Sequence, residues 1–136
     1  MENHWKFSDE IFERKFEACT FRPLWFSHEA HLRLAYIYIT KYKSEVAFQK
    51  YNQQLYNFAI KFDAEKKFNK TVTFASIKVM DFYLKKSKSE NFIDFLIEFP
   101  ELKSNFKAIL ASHYSPDIFT SVDAKQNILE PDLIPF

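Results

Sequence analysis

The sequence contains no glycine. That absence excludes P-loops, glycine-rich dinucleotide turns and nucleophile elbows of the G-x-S-x-G kind, all of which need glycine's backbone freedom. It also removes the usual residue of tight hairpins, so an all-β or Rossmann architecture would lack its ordinary turn chemistry. Cysteine occurs once, at Cys19. No internal disulfide can form, and a reducing, cytoplasmic setting is expected. Within "FEACTF", Cys19 reads as a small core residue on an apolar helix face rather than a nucleophile.

Surplus charge is missing as well. Nineteen Lys and Arg stand against eighteen Asp and Glu. Bulk nucleic-acid binding draws on an excess of cations, so no nucleic-acid partner is expected. The lysines of "AEKKFNK" and "YLKKSKSE" read as solvated helix ends. Long apolar runs are absent too. "LAYIYI" is far too short to span a bilayer, and "MENHWKFSDE" is polar and acidic, unlike a secretory signal. No membrane partner is expected.

What the chain has is aromatic carbon: seventeen Phe, seven Tyr and two Trp among 136 residues. Phenylalanine fills a core where other proteins use leucine. The length suits one domain over residues 1–136, with enough buried surface to fold without metal or disulfide.

Periodicity and caps predict an all-α fold of six or seven helices. The first runs from Ser8, its cap, to about Cys19, with Ile11, Phe12 and Phe16 on one stripe. Pro23 interrupts. The second begins at Ser27 and runs to about Tyr42, with Glu29 and Arg33 as an i,i+4 pair on its outer face and an all-apolar centre from Leu34 to Ile39. The third is capped by Ser44 and ends near "KFDAEKKF". The fourth starts around Asn69 to Thr71 and turns Ile77, Met80 and Leu84 inward. Ser89 opens the fifth, "ENFIDFLIEF", which Pro100 stops. A sixth spans Glu101 to about Ser112, and Ser115 with Pro116 signals another start. The two prolines of "EPDLIPF" forbid helix, so this tail is expected to strap back and bury Leu133, Ile134 and Phe136.

Short connections favour antiparallel neighbours, which would put the starts of the second and fourth helices at one end. His28 and His31 would then meet Asn69 and Thr73 there. Two helix N-termini favour an anion and disfavour a charged imidazole. The expected site is a ligand pocket of His28, His31, Asn69 and Thr73 for a small anionic molecule. The same histidines also fit a hydrogen-bonded packing network. No third ligand is fixed by spacing, so no metal and no cofactor are expected; His4 lies in the N-terminal segment and His113 ends another helix. A metal-assisted or acid–base enzyme built on the His pair is the alternative reading, and a homodimer burying surplus Phe and Tyr is a third. Spacing yields no catalytic triad or paired carboxylates.

Three stretches, "WFSHEAHLRLAYIYI", "FNKTVTFASIKVM" and "IFTSVDAKQNILEPDLIPF", resemble the landmarks of a family of small uncharacterised bacterial helical proteins. Its members read W-[ST]-H-x-x-H-L, then Y-H-E-T-[IL]-T, then A-R-x-x-F-x-x-P-D-L-x-P, and the resemblance covers Leu24 to Phe136. Trp25, His28, His31 and Leu32 fall on the first landmark, and Phe68, Thr71, Val72 and Thr73 on the second. Ala124, Pro131, Asp132, Leu133 and Pro135 fall on the third. Asn69 stands where the family has His, Lys70 where it has Glu and Lys125 where it has Arg. Asn69 cannot ionise and is a poor zinc ligand, so the departure removes equipment for metal or acid–base chemistry. The resemblance implies a helical fold and no particular activity.

Overall fold

The computed structural model describes every residue, Met1–Phe136, and is all-α, with eight α-helices and no strand. The chain divides into two compact units, Met1–Phe68 and Asn69–Phe136.

In the first unit a 3-10 turn, Asn3–Lys6, precedes α1 (Asp9–Glu17), and a second turn, Pro23–Trp25, precedes α2 (His28–Lys41) and α3 (Ser44–Lys61). Ser8 caps α1 by accepting from the Ile11 N–H, and Ser27 caps α2 by accepting from the Ala30 N–H. Both caps agree with the sequence reading. At α3 the cap position belongs to Lys43, which has no capping side chain, and Ser44 is the first helical residue. The three helices pack on one another around rings. Phe16 stacks on Phe58 with centroids 4.6 Å apart, and Phe12 meets Phe21 edge-on at 5.0 Å. As expected, α2 is buried nearly all round from Leu34 to Tyr38.

The missing glycines leave a trace at two helix ends. Cys19 and Asp63 have φ of 57° and 54°, the left-handed region where glycine ordinarily sits. After α1, the Thr20 N–H reaches the Lys15 carbonyl and the Cys19 N–H reaches that of Phe16. After α3, the Ala64 N–H reaches Ala59 and the Asp63 N–H reaches Ile60. Both are Schellman endings built on a residue with a Cβ. Cys19 is therefore outside α1 and half-buried, not on an apolar helix face.

In the second unit α4 (Lys70–Lys86) is capped by Asn69, and α5 (Phe92–Glu98), α6 (Glu101–Ser104), α7 (Phe106–Ala111) and α8 (Val122–Gln126) follow. Ile77 and Met80 are buried as expected, with Ala75, Phe95, Leu102, Leu110 and Ile118. Asn91, not Ser89, caps α5, by accepting from the Asp94 N–H. The expected sixth helix is two short ones, divided at Asn105. No helix starts at Ser115; its N–H and its hydroxyl both donate to the Asp132 carboxylate. The helix that does form later, α8, is capped by Ser121.

The C-terminal tail does strap back within this unit, held by polar bonds more than by burial. The Leu133 N–H donates to the His113 carbonyl at 3.1 Å, and His113 Nδ1 donates to the Ile134 carbonyl at 2.7 Å. Phe136 packs on the His113 ring at 4.4 Å and is half-buried. Leu133 and Ile134, expected inside, are 58% and 52% exposed.

Candidate functional site

The four residues singled out from the sequence fall in pairs, one pair in each unit. His28 is exposed on the first turn of α2. His31, one turn on, donates from Nδ1 to the Ser27 carbonyl at 2.7 Å and stacks on Phe26 with centroids 3.7 Å apart. Burial lowers its pKa to about 4, against a smaller upward pull from the Ser27 carbonyl, so His31 is neutral at ordinary pH. In the second unit both ends of the Asn69 amide are engaged. Its oxygen accepts from the Val72 N–H at 2.9 Å, and its nitrogen donates to the Ile118 carbonyl at 2.8 Å. Thr73 is buried on the same turn of α4. Between them, Thr71 donates to the Asn127 carbonyl at 2.6 Å and accepts from the Leu129 N–H at 3.0 Å. Asn69 and Thr71 thus fasten the start of α4 to the chain flanking α8.

The polar cluster that the sequence reading missed lies in the first unit. Glu29 and Arg33 are not on an outer face; both are buried, Arg33 to 2% exposure. Arg33 gives Nε and Nη2 to Asp9 Oδ1 at 3.0 and 2.9 Å. It also donates to the carbonyls of Phe7 and His4 at 2.8 and 2.7 Å. Its guanidinium lies over the Trp5 and Phe12 rings at 4.7 and 4.8 Å. Glu29 Oε1 sits 2.7 Å from His4 Nε2 and accepts from Trp5 Nε1 at 2.7 Å. The i,i+4 spacing was legible, but the partners, His4, Trp5 and Asp9, are more than twenty residues away.

With Glu2, these groups form the one carboxylate–imidazole cluster close enough to hold a cation, its ligand atoms all within 4.8 Å. The proton positions argue against that use. Arg33 can only donate, so the His4 Nδ1 that faces Nη1 at 3.3 Å must accept. The imidazole proton is then on Nε2, where it donates to Glu29. A metal at Nε2 would force that proton onto Nδ1, against a guanidinium. His4 is also fully buried, and that burial lowers its pKa despite Glu29. No substrate reaches it. The cluster binds the N-terminal turn to α1 and α2.

One concavity of the second unit has a different character. A groove of about 440 Å³ runs between α4, α7 and the tail. Val79, Phe82 and Tyr83 form one wall, Ala108 and Ile109 another, and Ile134 to Phe136 the third. Asn105, Ser112 and His113 are the polar groups on its surface. His113 spends its Nδ1 donor on the Ile134 carbonyl of the tail. Phe82 is 57% exposed at the edge. Sequence reading had no signal for this groove beyond scattered apolar positions in three separate segments.

Comparison of the chain with protein-family models, with curated proteins and with solved structures finds no match.

Proposed function

We propose that this chain is a non-catalytic binding protein that takes a small, largely apolar molecule into the groove between α4, α7 and the tail. The observation that carries this reading is the groove itself: about 440 Å³, walled by aliphatic and aromatic side chains, with three polar groups among them. Small-molecule sites span roughly 300–1,000 Å³ and combine these ingredients. The polar clusters elsewhere support it by their self-sufficiency. Arg33, Asn69 and Asp132 have their hydrogen bonds satisfied within the fold.

The pocket of His28, His31, Asn69 and Thr73 has less in its favour, because the Asn69 amide and His31 Nδ1 are already engaged. The same engagement weakens the metal-assisted or acid–base reading of the histidines. The single cysteine favours a cytoplasmic setting, and no helix is long and apolar enough to cross a membrane.

The test is a blocked groove. Ala108 is exposed on the wall, so Ala108→Trp fills the groove without entering the core. A panel of small apolar alcohols and acids should raise the melting temperature of the wild type and leave that of Ala108→Trp unchanged. Equal shifts for both proteins would place binding elsewhere and reject the proposal.

A further inference from the structure

We infer that the ligand is an amphipathic monocarboxylate, its hydrocarbon body in the groove and its carboxylate on Lys86; the inference rests on the groove being the binding site. Lys86 Nζ stands over the rings of Phe82 and Tyr83, at 4.8 and 4.4 Å, and over Phe99 at 5.5 Å. Phe82 and Tyr83 are themselves walls of the groove. The ammonium therefore lies against two of the rings that would hold the hydrocarbon.

The neighbouring cation differs. Lys85 is paired with Asp81 at 2.9 Å, whereas Lys86 is held by ring faces. A ring face attracts an ammonium but leaves its N–H donors unspent, so a carboxylate can accept from Lys86 without displacing a partner. The groove walls carry no Asp or Glu to repel an anion. Glu101 is near enough to add, after burial, to the rise in the Tyr83 phenol pKa, so one acid is felt on that side.

Elsewhere on the groove, His113 spends its Nδ1 donor on the Ile134 carbonyl, so Lys86, lying against two wall rings, is the cation with donors to spare. One cation fits a single negative charge, and the apolar depth of the groove fits an aliphatic chain.

Titration calorimetry with octanoate and with octanol, on the full chain and on Lys86→Gln and Ala108→Trp, tests the inference. Lys86 is exposed, so its replacement leaves the fold intact. Wild type should bind octanoate about fivefold more tightly than octanol, the margin of a partly exposed ion pair. Lys86→Gln should erase that preference while keeping its affinity for octanol. Equal affinities in the wild type, or a preference that survives Lys86→Gln, would overturn the carboxylate assignment and leave the groove standing. Binding of neither compound, or binding unaffected by Ala108→Trp, would overturn the groove reading as well.

Discussion

His4 and Glu29, twenty-five residues apart, meet at 2.7 Å with both side chains buried. The contact forms because Arg33 occupies the other side of the imidazole and fixes its proton on Nε2. A buried polar cluster of this kind holds only while each member keeps its partners.

Removing Arg33 breaks it. Arg33→Met leaves the Phe7 and His4 carbonyls without their donor. Leaving these carbonyls unpaired costs about 1–3 kcal/mol each. Thermal unfolding of Arg33→Met should show a melting temperature lower by about 10 °C or more. Asp9→Asn should be far milder, about 1 kcal/mol or less, because the Asp9 side chain is 62% exposed.

Acid should soften the first unit in a defined window. His4 and His31 both have folded pKa values below the ordinary 6.5, chiefly through burial. Above pH 6.5 each is neutral whether folded or not, and its contribution is fully present. As pH falls the unfolded chain takes up protons that the folded one refuses, at up to about 1.4 kcal/mol per pH unit for each group. Stability is thus lost from about pH 6.5, and for His31 the loss continues to about pH 4. Melting curves recorded from pH 7.5 to 4.5 should fall over this range, and those of His31→Gln should fall less steeply. The carboxylates of Asp117 and Asp132, held below their ordinary 3.8 mainly by hydrogen bonds, add a separate loss only below that pH.

The two glycine-free helix ends predict a gain. Cys19→Gly and Asp63→Gly relieve a left-handed residue of its Cβ, which costs about 1–2 kcal/mol there. Glycine's freedom in the unfolded chain returns part of this. Each variant should melt higher, Cys19→Gly by about 2–4 °C and Asp63→Gly by less, since aspartate tolerates the conformation better.

Deleting Pro131–Phe136 separates stability from binding. Leu133 and Ile134 are more than half exposed, so the loss comes from Phe136 and from the Asp132, Leu133 and Ile134 hydrogen bonds and should be about 2 kcal/mol. Ile134 to Phe136 form one wall of the groove, so octanol binding should disappear. Calorimetry of the truncated, still-folded chain would show this.

The helix starts at Ser8, Ser27 and Asn69 were legible because a cap acts within three residues of itself. What required distant partners was not. An i,i+4 pair such as Glu29 and Arg33 reads the same in solvent or in a core. Only His4, Trp5 and Asp9, brought in from the N-terminal turn, make it a buried network. The Ser115–Pro116 start signal opens no helix; Ser115 instead donates to Asp132, seventeen residues downstream, a partner that local spacing does not indicate. In the expected site, His31 is engaged locally, by the Ser27 carbonyl four residues back, whereas the engagement of Asn69 depends on Ile118, forty-nine residues away, which spacing does not specify.

The most direct measurement is a chemical-shift map of the ¹⁵N-labelled chain titrated with octanol. The account predicts that the perturbed amides cluster at Val79, Tyr83, Ala108, Ile109 and Ile134, around the groove. Perturbations centred instead on the first turns of α2 and α4, or none at all, would contradict it.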